Sequence, residues 1–414
     1  MRVLMVNTEY ARGGAARIAL TLHQAVNSLP NHESLFAYGR GPKNQDPTAY
    51  RFAFQPEVYL HAFLTRAIGI QGYGTWLSTT HLLRLIRQWK PDILHFHNIH
   101  GYYLNLGIAR AIGGLGIPVV WTLHDGWPLT GRCAYFFNCS RWKIGCGHCP
   151  NLRGYPRTYF DTSRMMWHKK RELLGGVWNP VIVTPSQWLA SLVSEACGGR
   201  CRVEVIPNGI DTQVFRPRDR WQVRGELGLP KDKKILLFAA ADLKDERKGA
   251  RYFFESLNYV EAKGWIVVTV GKTVALPRSL GGRANIRQLG YLKGSEAMAE
   301  AYSAADLFCL TSLDDNFPTT VLESMSCGTA VVGFSVGGIP EQVTEGCGQL
   351  VPSRDEKALG RAITALLEDD ELRHTMGERC REKAVREYDQ KLFVERHLAL
   401  YHELVEGGAL WRER

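Results

Sequence analysis

Two carboxylates eight positions apart, Asp315 and Glu323, bracket the segment Asp315-Asn-Phe-Pro-Thr-Thr-Val-Leu-Glu323, which follows Thr311-Ser312 at a strand end. The spacing puts one carboxylate in a loop and the other a turn into a helix, so both can flank a ligand at the helix N-terminus. Amide N–H groups there attract an anion such as phosphate. Pro318 lacks an N–H, which leaves Thr319 and Thr320 as the better donors. An acidic residue near a helix start also serves the helix dipole alone, so the pair by itself leaves a purely structural role open. Gly13-Gly14 follows the first apolar run and opens the first helix. Glycine there lets backbone pass close to a ligand, although a plain tight turn has the same composition. It is not the G-x-G-x-x-G dinucleotide fingerprint, which argues against NAD.

Histidines and cysteines form two further groups. His124 closes the run Val119-Val-Trp-Thr-Leu-His. His95-Phe-His97-Asn-Ile-His100 is denser, and strand alternation puts His95 and His97 on one face, as a metal pair or as a polar strand end. Four of the ten cysteines, Cys133, Cys139, Cys146 and Cys149, fall within seventeen residues as C-x5-C-x6-C-G-H-C. In a reducing compartment such a cluster suggests a structural zinc site, with disulfides and unligated thiols as the alternatives. The other six cysteines read as small buried residues.

These groups sit on a repeated strand–loop–helix pattern. Arg2–Asn7, Ile93–His97, Val119–His124 and Val181–Thr184 are short apolar runs, and a helix is expected from about Ala15 to Leu29. The pattern restarts after Pro207 with Lys234–Ala240, Trp265–Val270, Ile286–Gly290, Leu307–Leu310 and Ala330–Gly333. Such alternation predicts an α/β protein with two doubly wound parallel sheets. The Pro-rich, polar stretch Asn208–Arg220 is the expected linker, and Asp355–Glu406 reads as charged terminal helices. At 414 residues, 45% hydrophobic and 22% charged, the chain is neither disordered nor fibrous. No apolar run reaches the ~18–20 residues of a membrane span. The start, Met1-Arg-Val-Leu-Met-Val, lacks the pattern of a signal peptide, so a cytoplasmic protein is expected.

Taken together, the Gly13-Gly14 loop, Pro207-Asn-Gly-Ile-Asp211, Arg247-Lys248-Gly249, the Asp315–Glu323 pair and Gly337-Gly338-Ile-Pro-Glu341 resemble the retaining glycosyltransferases of family 4. The acidic pair is similar to that family's E-x7-E motif with Asp315 in the first place. Around Trp121–Thr130 and the cysteine cluster the chain looks most like the branch that builds colanic-acid-type exopolysaccharides. The resemblance implies a GT-B architecture, two Rossmann-like domains facing across a cleft. It implies an acceptor domain over residues 1–200, a nucleotide-sugar donor domain over 201–387, and a C-terminal helix, about 388–414, crossing back to the first domain.

Carried over by position, the resemblance implies that Glu323 binds the ribose hydroxyls and Asp315 sits by the donor sugar. Lys248 with Arg247 holds the diphosphate, and His124 contacts the donor sugar or the transition state. Gly13, Gly14, Thr319 and Thr320 complete the expected donor site. The implied reaction moves a sugar from a UDP- or GDP-sugar to a saccharide acceptor and needs no catalytic cofactor. The alternative within the same architecture is a sugar-nucleotide epimerase or a phosphorylase. One departure stands out: the family's Gly-Arg before Lys-Gly is here Ala241-Asp242, so one phosphate cation is replaced by an acid, with Arg247 or Lys244 as the candidates to substitute.

Charge is divided unevenly: residues 1–200 carry a net +12 and residues 201–414 a net −2. Lys and Arg are scattered and do not form runs, which argues against nucleic acid. The stretch Tyr59–Lys90 interleaves Leu60, Phe63, Trp76 and Leu77 with Arg66, Arg84, Arg87 and Lys90 and contains no Asp or Glu. That composition suits peripheral contact with an anionic membrane and hence a lipid-linked acceptor. A core-facing helix with a solvated basic face is the alternative.

Overall fold

A computed structural model describes residues 1–176, 178–273 and 285–411 of the 414-residue chain. Residues 412–414 of the expected C-terminal helix lie outside the described residues. The chain forms two compact units, Met1–Pro207 with Val394–Arg414, and Asn208–Phe393.

The first unit is built on a parallel sheet of seven strands: β1 (Arg2–Glu9), β2 (Glu33–Arg40), β3 (Ala49–Arg51), β4 (Ile93–Phe96), β5 (Val119–Thr122), β6 (Val181–Thr184) and β7 (Val203–Val205). Their order is β3-β2-β1-β4-β5-β6-β7. The helices are α1 (Gly14–Asn27), α2 (Gln55–Ile68), α3 (Trp76–Trp89), α4 (Ile108–Gly113), α5 (Ser163–Gly175) and α6 (Gln187–Cys197). All four residues of β4, β5 and β6 are buried, as expected of strands covered on both faces. In α1 the buried positions Ile18, Ala19, Leu22 and Val26 recur at helical spacing and dock that helix on the sheet.

The second unit carries β8 (Lys234–Asp242), β9 (Trp265–Lys272), β10 (Ile286–Gly290), β11 (Leu307–Leu310), β12 (Val331–Phe334) and β13 (Gly348–Val351), in the order β10-β9-β8-β11-β12-β13. Alternation along β8 divides its side chains between two cores. Ile235, Leu237 and Ala239 enter one, and Leu236, Phe238 and Ala240 the other. Its helices are α7 (Arg220–Glu226), α8 (Ala250–Ser256), α9 (Ser295–Ala304), α10 (Thr319–Ser326), α11 (Ile339–Gln342), α12 (Glu356–Glu368) and α13 (Asp370–Tyr388). The last helix, α14 (Gln390–Trp411), returns to the first unit. There the Tyr401 hydroxyl meets His95 Nδ1 at 2.5 Å, and Arg202 makes a two-pronged bond to Glu403.

In each sheet the winding direction reverses between neighbouring strands, β1 and β4 in one unit, β8 and β11 in the other. Crevices at the carboxyl ends of such strand pairs are where doubly wound sheets bind ligands.

Two sequence expectations need correction. Cys197 and Cys201 are not ordinary buried thiols: they are joined by a disulfide. The intervening Gly198 and Gly199 both have positive φ and reverse the chain, which brings the two cysteine Cα atoms to 5.9 Å. The Tyr59–Lys90 stretch is also not one helix with one basic face. It breaks at Gly69 into two helices that bury different kinds of side chain. In α3 the buried residues include Leu82 and Ile86, and Arg84 and Arg87 are exposed. In α2 the buried residues are Val58, His61 and Thr65, while Tyr59, Leu60, Phe63 and Ile68 are exposed.

Candidate functional site

In the second unit the loops after β8 and β11 lock together. Leu313 N donates to Arg247 O at 2.8 Å, and the Thr311 hydroxyl donates to the carbonyls of Lys248 and Gly249. Gly249 has φ +64°, and a Cβ there would stand 2.0 Å from Thr311 O, so only glycine permits this approach. Gly337 does the same on the other side, where a Cβ would fall 1.9 Å from Asp315 O.

The result is a charge cluster on one oxygen. Asp315 Oδ2 accepts from Lys248 Nζ at 2.7 Å, Arg247 Nη1 at 2.8 Å and Ser312 Oγ at 3.2 Å. Burial alone would raise the Asp315 pKa, but the Lys248 and Arg247 charges outweigh it and hold it at about 2. Burial pushes Lys248 down against the pull of Asp315. Arg247 also pairs with Asp245 at 3.7 Å, so the cluster gathers two cations whose bonds to carboxylates an incoming anion can share.

α10 begins just beyond. Its cap residue, Pro318, gives no side-chain bond, and Thr319 and Thr320 open the helix. The preceding loop is pinned by Asn208 Nδ2 donating to Phe317 O and Gln342 Nε2 donating to Pro318 O. Thr320 Oγ1 is buried with no hydrogen-bond partner among the described residues. Glu323 lies a turn further on, 6% exposed, and accepts from the Tyr302 hydroxyl at 3.0 Å. The Ala241-Asp242 departure also has a local account: Asp242 pairs with Lys272 at 3.2 Å. Lys244, one of the substitutes considered, is exposed, and Arg247, the other, is already engaged with Asp315.

The first unit's reversal point is assembled differently. Thr8 Oγ1, at the end of β1, donates to Asn98 O and His100 O beyond β4. Gly13 and Gly14 form an exposed loop before α1, Gly13 at φ +94° with open space around a notional Cβ. A row of buried imidazoles runs inward. His95 and His97 stack at 4.2 Å between ring centroids, and His97 Nδ1 lies 3.1 Å from His124 Nε2, one donating to the other. Burial lowers His124 to about 4 and keeps His95 and His97 neutral as well. Both ring nitrogens of His95 are taken, by Thr122 and Tyr401, which makes it a structural residue and not a metal ligand. Next to His124, Asp125 bonds His100 at 2.8 Å and accepts from Trp127 N at 2.9 Å.

The four clustered cysteines follow at once, and all four line one small cavity of about 20 Å³. Cys133 and Cys149 are hydrogen-bonded to each other, a contact that draws the Cys149 thiol down to about 6 and pushes Cys133 up. Among the described residues, no three His, Cys, Asp or Glu side chains are already grouped as a metal site.

The structure thus brings Asp315, Arg247 and Lys248 to one point at the approach to Thr319, Thr320 and Glu323. It places His124, Gly13 and Gly14 in the other unit. Tyr302, Lys272, and the His100–Asp125 pair escaped the sequence reading. The first two contacts join residues 21 and 30 positions apart with no shared motif to announce them.

Comparisons with known proteins agree with this layout. Residues 12–214 match the family described as Glycosyltransferase Family 4, and residues 219–383 match Glycosyl transferases group 1. The chain is 30% identical to the colanic acid biosynthesis glycosyl transferase WcaC of Escherichia coli strain K12, over 86% of this chain and 88% of that one. It is 24% identical to the N-acetyl-alpha-D-glucosaminyl L-malate synthase of Bacillus anthracis, over 84% of this chain and 85% of the other. Among solved structures, sucrose-phosphate synthase of Thermosynechococcus elongatus superposes with a TM-score of 0.72 at 17% identity, covering 98% of this chain and 99% of that one. HepE of Anabaena, solved with UDP-glucose, superposes at 0.67 and 16% identity, covering 97% and 100%. Two Rossmann-like units of this kind make the fold GT-B. The chain belongs to glycosyltransferase family 4 and is an enzyme that transfers sugars.

Proposed function

We propose that the enzyme moves a sugar, with retention at the anomeric carbon, from a UDP- or GDP-sugar to a lipid-linked saccharide acceptor in polysaccharide biosynthesis. The observation that carries this is the meeting of two cations, Arg247 and Lys248, at Asp315, in the loop that leads to the first residues of α10. A nucleotide diphosphate needs cations held in one place, and the leaving group gains charge as the glycosidic bond breaks. In this reading Lys248 and Arg247 release part of their hold on Asp315 to the diphosphate. The amides of Thr319 and Thr320 bind its oxygens, and Glu323 accepts from the ribose hydroxyls. Asp315 and His124 face the sugar. Neutral His124 can donate to or accept from a hydroxyl without adding charge. The UDP and UDP-glucose bound by HepE and the colanic acid role of WcaC support the donor and the pathway class.

The test is a thermal-shift screen of UDP- and GDP-sugars, followed by product analysis with and without a saccharide acceptor. One nucleotide series should raise the melting temperature with concentration, and transfer should require the acceptor and preserve the anomeric configuration. Conversion of the donor alone points instead to the epimerase or phosphorylase alternative.

The outward apolar face of α2 supports work at a membrane. Tyr59 is 72% exposed and Phe63 64%, and the exposed Trp76 and Leu77 begin the adjoining helix α3. Arg66, Arg84, Arg87 and Lys90 on the same two helices are exposed. Apolar rings entering the headgroup region, with cations beside them, suit an anionic bilayer. Among the described residues no helix is long and apolar enough to cross one. Co-sedimentation should require anionic vesicles and fall steeply toward ~0.5 M salt, because each cation contributes only ~1 kcal/mol within a Debye length of ~8–10 Å. It should weaken when Arg84, Arg87 and Lys90 become Glu. Equal binding to neutral and anionic vesicles, or none at low salt, removes the membrane from the scheme.

A further inference from the structure

We infer that Cys133, Cys139, Cys146 and Cys149 form a four-thiolate zinc site that fixes the loop behind His124 and Asp125. Four features converge on this. All four cysteines line the same cavity. The backbone is bent to present them: Gly145, Cys146, Gly147 and His148 have positive φ in succession, an arrangement that turns Cys146 and Cys149 toward one side. Backbone N–H groups also point at sulfur, from Gly131 to Cys146 at 3.2 Å and from Asn151 to Cys149. Such donors stabilise thiolates and orient them as ligands.

The strongest feature is charge. Two cations are buried against the cluster, Arg132 at 2% exposure and Lys170 at 0%. Among the described residues neither has a carboxylate within ion-pair distance. Lys170 donates to Trp127 O and lies over the Trp127 ring. Arg132 spends its guanidinium on the carbonyls of Asn151, Leu152, Gly154 and Pro156, with Cys149 Sγ at 4.0 Å. Asp125 acts on Lys170 and Asp161 on Arg132 only from beyond ion-pair distance, so thiolate charge beside these two cations would lower the cost of burying them. Four thiolates around one zinc carry two net negative charges and cancel them. Zinc binding releases the four thiol protons to solvent and involves no redox change.

The site would act on the active centre through the backbone. Thr130 Oγ1 donates to Cys133 O, Gly126 N donates to Ala134 O, and Lys170 holds Trp127 O. Those bonds set the path of residues 125–134, directly after His124.

The full chain, purified without added metal, should contain about one zinc per molecule. After chelation, cobalt(II) should restore about one equivalent and give the intense visible and charge-transfer absorption of tetrahedral cobalt thiolate. Cys139→Ser should weaken cobalt binding at least tenfold and remove part of the charge-transfer intensity. Cobalt reconstitution of the unmutated chain is the safeguard if that variant fails to fold. Four rapidly titratable thiols from this segment in native protein that takes up no cobalt would overturn the inference. So would a Cys133–Cys149 disulfide in protein prepared under reducing conditions.

Discussion

The two reversal points share a topology and differ in what fills them. In the second unit the crevice loops carry ionised groups held close together, two cations on one carboxylate. In the first unit the corresponding positions hold imidazoles kept neutral by burial, His95, His97 and His124, beside a single carboxylate, Asp125, that is bonded to His100. The contrast teaches that a doubly wound sheet supplies the place but not the polarity. A site built from strong ion pairs suits a multiply charged diphosphate. A site of neutral, stacked rings with one carboxylate and no clustered cations suits sugar hydroxyls, which offer hydrogen bonds and no charge.

The contrast is most easily broken with acid. His23 and His124 are each lowered to about 4 by burial, and burial also lowers His61, His95 and His97; all five lie in the first unit. An unfolded chain takes up the His23 and His124 protons as pH falls below about 6.5, whereas the folded unit refuses them until about 4. Their contribution to stability is therefore complete above pH ~6.5 and is lost between there and pH ~4, at roughly 3 kcal/mol for each of the two. In the second unit the one histidine is the exposed His374. Asp315, lowered to about 2, loses its contribution only as pH falls from its ordinary 3.8 through that value. Hydrogen exchange near pH ~5 should show the first unit opening while residues 208–393 stay protected. The opposite order would break the comparison.

Chemistry comes next in size. Lys248→Ala should lower kcat by ~10²–10³, about 3–4 kcal/mol, with a smaller change in KM, because the leaving group gains charge in the transition state. A variant with full turnover would take the diphosphate away from this cluster. Glu323→Gln should weaken donor binding by ~1.5–3 kcal/mol, since an amide accepts from two ribose hydroxyls less well than a carboxylate does. Calorimetric titration of the nucleotide measures it, and an unchanged Kd would sever Glu323 from the ribose. The smallest effect sharpens the membrane reading. Changing Tyr59 and Phe63 to Ser should alter folding stability by no more than ~0.5 kcal/mol each, because neither is packed, yet vesicle binding should fall. A large loss of stability would mean that the face is covered.

Much of this was legible in the sequence where a single local segment carried it. The runs that became β1, β4–β6, β8, β9, β11 and β12 are mostly apolar, β10 with Arg287 and Gln288 is legible from its place in the alternation, and Asp315, Glu323, Arg247 and Lys248 stand in recognisable motifs. The strands missed were β2, β3, β7 and β13. β3 and β7 are three residues long and half exposed, and β13 is only four, so none carries enough apolar signal to register. β2 mixes Glu33, Tyr38 and Gly39 into its run. The inversion of α2 was illegible for another reason. Periodicity reveals that a helix has two faces but not which one is buried. His61 and Thr65 can turn inward only because distant or later backbone meets them, Tyr102 O and Gly72 N for the histidine and Ile70 O for the threonine.

The return of α14 to the first unit has a consequence for how the protein is made. A ribosome releases residues 1–207 long before it reaches the helix whose Tyr401 bonds His95 and whose Glu403 clasps Arg202. Residues 208–393, by contrast, are contiguous and hold their whole core in one stretch. Synthesis therefore inverts the usual N-to-C sequence of domain completion. The second unit has all its residues once Phe393 is made, and the first waits for α14. A chain truncated after Phe393 and freed from the ribosome should protect the second unit from protease and leave the first one cleavable.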